Sequence, residues 1–600
     1  MPTASQIIKM VTEHEAATQS RRDRFEADYG LYLLDQRLPP DPDDVEDSNE
    51  GYRIYTSNEP MTYADKVISW QASAALIWRT PSHDKQRHER EVDDVAERFL
   101  IGALEAADER LLDNLKPPLQ DTAAFYSTLR GWIGARVLFR KDEEGKTFVD
   151  IMPWDPLHTF WGMGTNGLAW ACYRTDKTKA DIKAEYGKTE RFFSGESDET
   201  VFKVYDWYDD EVNVVVIEGN RIAKSSTKHG GVGSVPVVIV AVPTSPPITS
   251  AQHDDDDSHY GESVFKANRR LYESHNLIMS VMLELVARAR KPPYVVETYD
   301  GSKTLESDPW REGTEIALRM GEKVEALKAL EMTRDVGAFL GIVSGEAQRG
   351  SLPHSVFGEL QFQLSGFAIT TLRQGIDSVV QPRIKALKNF YRLVSGLLRR
   401  QYASGGFENL RVTGVDRQNK FFDEEIEPEI IEQACIPRID IKSQLPEDDT
   451  AKMAVAQMSR EGPAPLFPDE YIRDHVLGIQ DADLMDDQIK LQQAKRGLPE
   501  AQLWTLMEAA ENRGEQTIAQ MYYMELVSVE LQKFMQRMML QMPGAPGANG
   551  AAPGGSAGPT LPPNVLPEAS LGVPPPAPTP QFGPNVPPGS PRPAARTPMG

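Results

Sequence analysis

The chain has 600 residues, 40% of them hydrophobic and 26% charged, with a formal net charge of -24. That is enough apolar material for a sizeable core, arranged as several domains or one large elongated one, and the acidic balance excludes a protein that grips nucleic acid over its whole surface. Two cysteines, Cys172 and Cys435, support neither a disulfide framework nor a thiolate metal site.

The opening residues show no apolar core followed by a cleavage site, so no signal peptide is expected. The most apolar short run, 235–242, has the length of a strand and not the roughly 20 residues of a membrane span. The expectation is a soluble cytoplasmic protein. Residues 1–140 read as helical. Segments 61–78 and 85–112 carry apolar residues at three- and four-residue steps, as Ile101, Leu104, Leu111 and Leu112 illustrate. A third helix over 121–133 leads into a strand, ARVLFR. From about 148 to 242 the period shifts towards two, in VFKVYDWY (201–208) and VNVVVIEG (212–219), with Asp209 and Asp210 as turn residues between them. This β-rich stretch closes on HGGVGSVPVVIVAVPT, a glycine loop followed by a buried-type strand.

Residues 261–291 form a long helix on which Val264, Leu271, Ile278, Val281, Leu285 and Ala289 share one stripe, and Pro292 and Pro293 stop it. A smaller strand-and-helix insertion follows to 330, with turn signals at Asp300-Gly301 and Gly321. Next come a helix over 335–348, a loop RGSLPHSVFG (349–358), and a second long helix over 359–402 in which Pro382 predicts a kink or a break. A strand (LRVTGV) and an extended segment (IPRIDIKS) occupy 407–443, and 447–541 is helical again. From 543 onward nearly half the residues are Pro or Gly and only Glu568, Arg592 and Arg596 are charged, so a disordered tail is expected.

Few motifs carry chemistry. Gly162-Met163-Gly164-Thr165-Asn166-Gly167 fits G-x-G-x-x-G, but that fingerprint needs a helix opening on its last glycine. LAWACYR follows instead, so a hairpin turn between TFW and LAWACYR explains the glycines. The run His253–His259 holds four adjacent aspartates that repel one another and lack the alternation and downstream Glu of a calcium loop, so no metal is assigned. No phosphate-binding G-x-x-x-x-G-K-[ST], no H-E-x-x-H and no G-x-S-x-G is present, and Ser355 beside His354 is not triad geometry. Neither a cofactor nor a catalytic residue is assigned. Basic residues gather at Lys266, Arg269 and Arg270, at Arg288, Arg290 and Lys291, where the helix dipole favours cations, and at Arg383, Lys385, Lys388, Arg392, Arg399 and Arg400.

The order of these pieces resembles the portal (head-to-tail connector) family of tailed bacteriophages. HGGVGSVPVVIV followed by GESVFKANRRLYESHNLIMSVMLELVARARKPP resembles the family's wing strand and first stem helix. RGSLPHSVFGELQFQLSGFAI is similar to its tunnel loop and the start of its long helix. LPEDDTAKMAVAQMSREG with LFPDEYIRDHVLGIQDADLMDDQIK is similar to its wing-to-crown helices. The resemblance spans about residues 25–540 and implies an α+β, mainly helical fold. Its parts would be a wing (1–260), stem helices (261–291 and 331–348), a clip (292–330), a tunnel loop (349–358), a long kinked helix with wing return (359–446), a crown-like helical region (447–542) and a disordered tail (543–600). It implies a ring, usually of twelve subunits, at a capsid vertex of the virion, assembled in the host cytoplasm. The ring would serve as a channel for sequence-independent passage of double-stranded DNA. The implied partners are the terminase large subunit, head–tail adaptors, and major capsid and scaffolding proteins. The resemblance implies that Arg349, Ser351 and His354 face DNA. It also implies that Val264, Leu271, Ile278, Val281 and Leu285 pack the stem. Lys266, Arg269, Arg383 and Lys385 are candidate channel-facing cations. Two other readings stay open on the residues alone: a metal-dependent hydrolase using the 253–259 run, and a phage structural protein without a channel.

Overall fold

The structure is a computed structural model. Up to residue 442 it describes the chain apart from 1, 36–52, 80–86, 143, 166, 188–192, 194–196, 232, 247–259, 291–293, 298–317, 319, 327–333, 353–365, 405, 417–419 and 435–436. Beyond 442 it describes mainly 499–512 and 516–541. The chain divides into two units, Met1–Gln488 and Ile489–Gly600. The expected crown-like segment before 499 and the expected tail from 543 lie almost wholly outside the described residues.

The first unit opens with helices α1 (Ala4–Ala17), α2 (Gln19–Tyr32) and α3 (Glu59–Ala72). A capping box starts α1: the Thr3 hydroxyl accepts from the Gln6 N–H at 3.3 Å while the Gln6 side chain accepts from the Thr3 N–H at 2.8 Å, satisfying two donors that a helix start leaves open. The helix expected over 61–78 stops at Ala72. Residues beyond it form strand β1 (Ala75–Arg79), paired antiparallel with β14 (Arg438–Lys442). Helices α4 (Arg87–Asp113) and α5 (Leu119–Leu129) follow. The end of α5 precedes the expected 133, because Gly131, at a φ of +69°, turns the chain into β2 (Trp132–Lys141). A Cβ on Gly131 would lie 2.3 Å from the Gly261 carbonyl oxygen, so both the backbone angle and the close approach demand glycine.

Two antiparallel sheets form the β-rich part. One has the order β3-β2-β9, with β3 spanning Thr147–Trp154 and β9 Val237–Ala241. The other has the order β4-β5-β6-β7-β8, built from Thr159–Gly164, Gly167–Thr178, Val201–Tyr208, Val212–Ile217 and Arg221–Lys228. Strands β6 and β7 begin where the alternating pattern put them, and the 162–167 glycines form the β4–β5 turn as expected. A short helix, α6 (Lys179–Tyr186), covers Ile182 against Phe202 and Val204. Between the sheets, the Arg136 guanidinium reaches Asp150 at 2.7 Å and Asp206 at 3.6 Å, so its buried charge is answered from both sides.

Helix α9 (Gly366–Ser404) is the spine of this unit, packed on β2, β9, α5 and α10 (Pro428–Gln433). It contains Pro382 and continues as helix through it. Phe99 of α4 stacks on Tyr402 of α9 with ring centroids 4.9 Å apart, and Phe139 of β2 lies 5.3 Å from the same tyrosine. Each fully buried aromatic of this kind stabilises the fold by about 1.5–3 kcal/mol. Gln401 finishes the sheet: its side chain accepts from Phe139 N–H at 3.1 Å and donates to the Val137 carbonyl at 2.9 Å, where β2 runs past the residues paired with β9. Strands β12 (Leu410–Val415) and β13 (Phe421–Ile426) form a hairpin on α4; β13 and α10 carried no clear signal in the sequence.

From this body the chain continues through α7 (Arg269–Arg290), the hairpin of β10 (Tyr294–Glu297) and β11 (Lys323–Ala326), and α8 (Arg334–Gly350). The helix expected from 261 begins at Arg269, because the preceding residues are held in turns by bonds such as Val264 N–H to the Thr128 carbonyl at 2.9 Å. The second unit contains α11 (Pro499–Asn512) and α12 (Gln516–Gln541), packed together and joined by a Lys533–Glu500 ion pair. The fold is thus α+β. Among the described residues, no helix is long and apolar enough to cross a membrane.

Candidate functional site

The α7–hairpin–α8 segment is fixed at its root by charge. Arg269 donates from Nε and Nη2 to the two oxygens of Asp28 at 2.6 and 2.8 Å, and Nη2 also reaches Glu262 at 2.8 Å. Arg24 lies 3.1 Å from Glu262 on the other side. Asp28 and Glu262 are 1% and 3% exposed, so neither carboxylate has water to fall back on, and the paired guanidinium holds α7 to α2. Nearby, Asn268 donates to the Ala347 carbonyl of α8 at 2.7 Å. A Cβ on Gly350 would sit 1.9 Å from Asn268 Oδ1, so the two helices meet at a glycine.

Along α7 the residues buried within the chain are Tyr272, Asn276 and Ser280, one per turn; Tyr272 joins the apolar core of the body, and the other two are polar. Asn276 Oδ1 accepts from Ser57 N–H at 3.0 Å and Ser280 Oγ accepts from Tyr55 N–H at 2.8 Å, so residues 53–57 run along the helix as a strap. The expected apolar stripe therefore points elsewhere. Val264 is buried, but it precedes the helix and packs with Phe265, Tyr272 and Leu352 of the body. Leu271, Ile278 and Leu285 are half-buried, and Val281 is 50% exposed. Leu277, Leu283 and Val286 on α7 are exposed as well, as are Phe339 and Ile342 on α8.

The loop expected over 349–358 begins later. Arg349 and Gly350 complete the last turn of α8. Arg349 is exposed and pairs with Glu346 one turn back. Ser351 is buried, and its hydroxyl donates to the Ala347 carbonyl at 2.8 Å, which turns it inward. His354 lies outside the described residues. Of the candidate cations, Lys266 and Lys385 are exposed. Arg269 is held in the carboxylate cluster above, and Arg383 is only 4% exposed, with Nη1 donating to the Val379 carbonyl at 3.0 Å. Neither presents a free cation at the surface of the chain, which corrects the expectation drawn from their position in basic clusters. Elsewhere in the cluster on α9, exposed Lys388 pairs with Asp440 at 3.0 Å, and half-buried Arg399 donates to the carbonyls of Ile431 and Glu432.

A cleft of about 650 Å³ lies beside α9, lined by Trp132, Trp161, Tyr260, Arg392, Leu393 and Arg400 among others. Its described lining holds no carboxylate, histidine or cysteine, so it offers no acid–base pair. Among the described residues no group of His, Cys, Asp and Glu is placed to hold a metal ion; the 253–259 run lies outside them. Sequence reasoning missed Asp28, Glu262 and the Tyr272–Asn276–Ser280 face. The last had a signal in its four-residue spacing, whereas the two carboxylates are paired only in space. No protein-family model matches the chain, and no curated protein matches it.

Proposed function

We propose that the chain is the subunit of a tailed-bacteriophage portal: a ring, of twelve copies in the family it resembles, set at one capsid vertex of the virion, through which double-stranded DNA is packaged and later ejected. The observation that supports this best is the run α7, β10–β11, α8 and α9. It is a helix, a hairpin, a second helix bonded to the foot of the first, and then a long helix carrying a proline, all attached to a body with its own core. In this reading α7 and α8 form the stem and the hairpin belongs to the clip, where the terminase large subunit and then the head–tail adaptors dock. The scaffolding and major capsid proteins are the remaining partners.

The chain acts as a conduit and not as an enzyme. Energy for translocation comes from the separate motor, and the ring offers the duplex weak, sequence-independent contacts. Each neutralised phosphate adds to affinity, so a net charge of -24 suits sliding better than gripping. At the constriction Arg349 supplies the phosphate contact and His354 a weaker polar one, while Ser351 helps to end α8. The deciding experiment is negative-stain imaging of the purified chain. The expected particle is annular with a central hole; compact particles without a hole at all concentrations overturn the reading.

A further inference from the structure

Two buried arginines have carboxylate partners. Arg22 and Arg130, 8% and 4% exposed, lie 3.4 Å from Glu15 and 3.2 Å from Asp155. Arg383 is as buried, at 4% exposed, and differs. Its Nη1 donates to the Val379 carbonyl and its Nε, like that of Arg130, is buried without a partner; what sets it apart is that no carboxylate pairs with it among the described residues. Burial pushes its pKa down, and the Tyr63 phenol on α3 opposes that only in part. Arginine stays protonated in proteins, so the chain buries a full positive charge with one backbone carbonyl as its answer. A buried charge left so is among the more costly features a fold carries.

The pattern of used and unused donors indicates what is missing. With Nη1 occupied, the unpaired side of the guanidinium is the Nε–Nη2 edge, whose two parallel N–H groups match the two oxygens of a carboxylate. We propose that Arg383 is the receptor for a carboxylate side chain of a second copy of this chain, engaged on assembly. Two observations favour that source. The chain has 89 acidic against 65 basic residues, so a neighbouring copy is rich in the required group. A single side chain can also enter beside a residue that is 4% exposed, where the rod of a DNA duplex cannot. Position adds a means of access. Pro382, immediately before it, has no N–H to give to the preceding turn, so α9 is locally easier to bend where Arg383 must be uncovered. The inference rests on the ring reading and assigns a contact to it.

The test compares the full-length wild-type chain with Arg383→Met and Arg383→Lys, with particle mass measured across a dilution series and melting followed at each concentration. In dilute solution, where the wild type is a single copy, Arg383→Met should melt at a higher temperature than the wild type, because an unanswered charge has been replaced by an apolar chain of similar length. At concentrations where the wild type associates, Arg383→Met should associate more weakly by more than about tenfold. Arg383→Lys keeps the charge without the two-donor edge and should fall between. A lower melting temperature or misfolding for Arg383→Met overturns the inference, because the guanidinium is then satisfied within one copy. Equal association of wild type and Arg383→Met overturns it while leaving the ring intact. Inorganic sulfate that raises the wild-type melting temperature but not that of Arg383→Met, with association unchanged, identifies a free-oxyanion site and overturns the second-copy source. A wild type that stays single at every concentration removes the ring reading and the inference together.

Discussion

The body and the α7–hairpin–α8 segment treat their surfaces in opposite ways. In the body, charge and apolar area are answered within the chain: Arg136 by Asp150 and Asp206, Arg174 by Glu15, and Phe139, Phe99 and Tyr402 by one another. Along α7 and α8 the chain spends its internal contacts on polar groups, Asn276 and Ser280 against the 53–57 strap, and leaves Leu277, Val281, Val286, Phe339 and Ile342 facing out. Exposed apolar side chains repeated along a helix mark an interaction site when they join into one patch. The difference separates residues that fold one copy from residues available to join several.

Substitution at the junction should have the largest effect on a single copy. Arg269→Ala leaves Asp28 and Glu262 buried with their shared cation removed, and should cost roughly 3–5 kcal/mol, read as a fall in the urea midpoint. An unchanged midpoint would mean that the α7 root is not part of the cooperative body. Val281→Asp acts on the other side of the comparison. It places a charge on a 50%-exposed position, so it should shift single-copy stability by no more than about 0.5 kcal/mol and yet abolish annular particles. Rings that persist in this variant would exclude the outward face of α7 as an interface.

A third test sharpens the account of the body alone. His14 sits beside Trp161 and Phe160. Burial, with Arg21 and Arg22 nearby, lowers its pKa from 6.5 to about 4. Below about pH 6.5 the unfolded chain takes up a proton that the folded chain refuses, so this contribution is intact above that pH and is lost as pH falls towards about 4. His14→Phe should flatten the melting-temperature slope across that window without affecting assembly, and an unaltered slope would place the histidine in water. The smallest structural effect belongs to Arg349→Ala. Its pair with Glu346 is a surface contact and worth little, so stability and ring formation should match the wild type while DNA packaging or retention falls. Normal packaging and infectivity would remove Arg349 from the conduit.

Local pattern carried much of the body and little of the site. Strands 201–208 and 212–217 and the 162–167 turn were legible because alternation and turn residues act over a few neighbours. Strand β1 was not, because ALIWR continues the apolar spacing of the helix before it and becomes a strand only through pairing with 438–442. On α7 the apolar stripe was real, but apolar periodicity identifies a buried face only when the burying partner is apolar. Here the partner within the chain is the polar strap, so the internal face is Tyr272–Asn276–Ser280. Arg269 and Arg383 read as surface cations because charge at a helix end or in a basic run is usually solvated. Only the fold brings Asp28 to the first and closes α3 over the second.

The β1–β14 pair also sets a clock on synthesis. Residues 75–79 leave the ribosome early, but their hydrogen-bonding partners at 438–442 are made about 360 residues later. At about 5–20 residues per second, Trp78 and Ile77 spend tens of seconds without the strand that pairs with them. Gln401, which completes β2, arrives nearly as late. Nascent chains thus carry β1 without its paired strand until β14 emerges, so the closing of this part of the fold is delayed by the length of chain between the two strands.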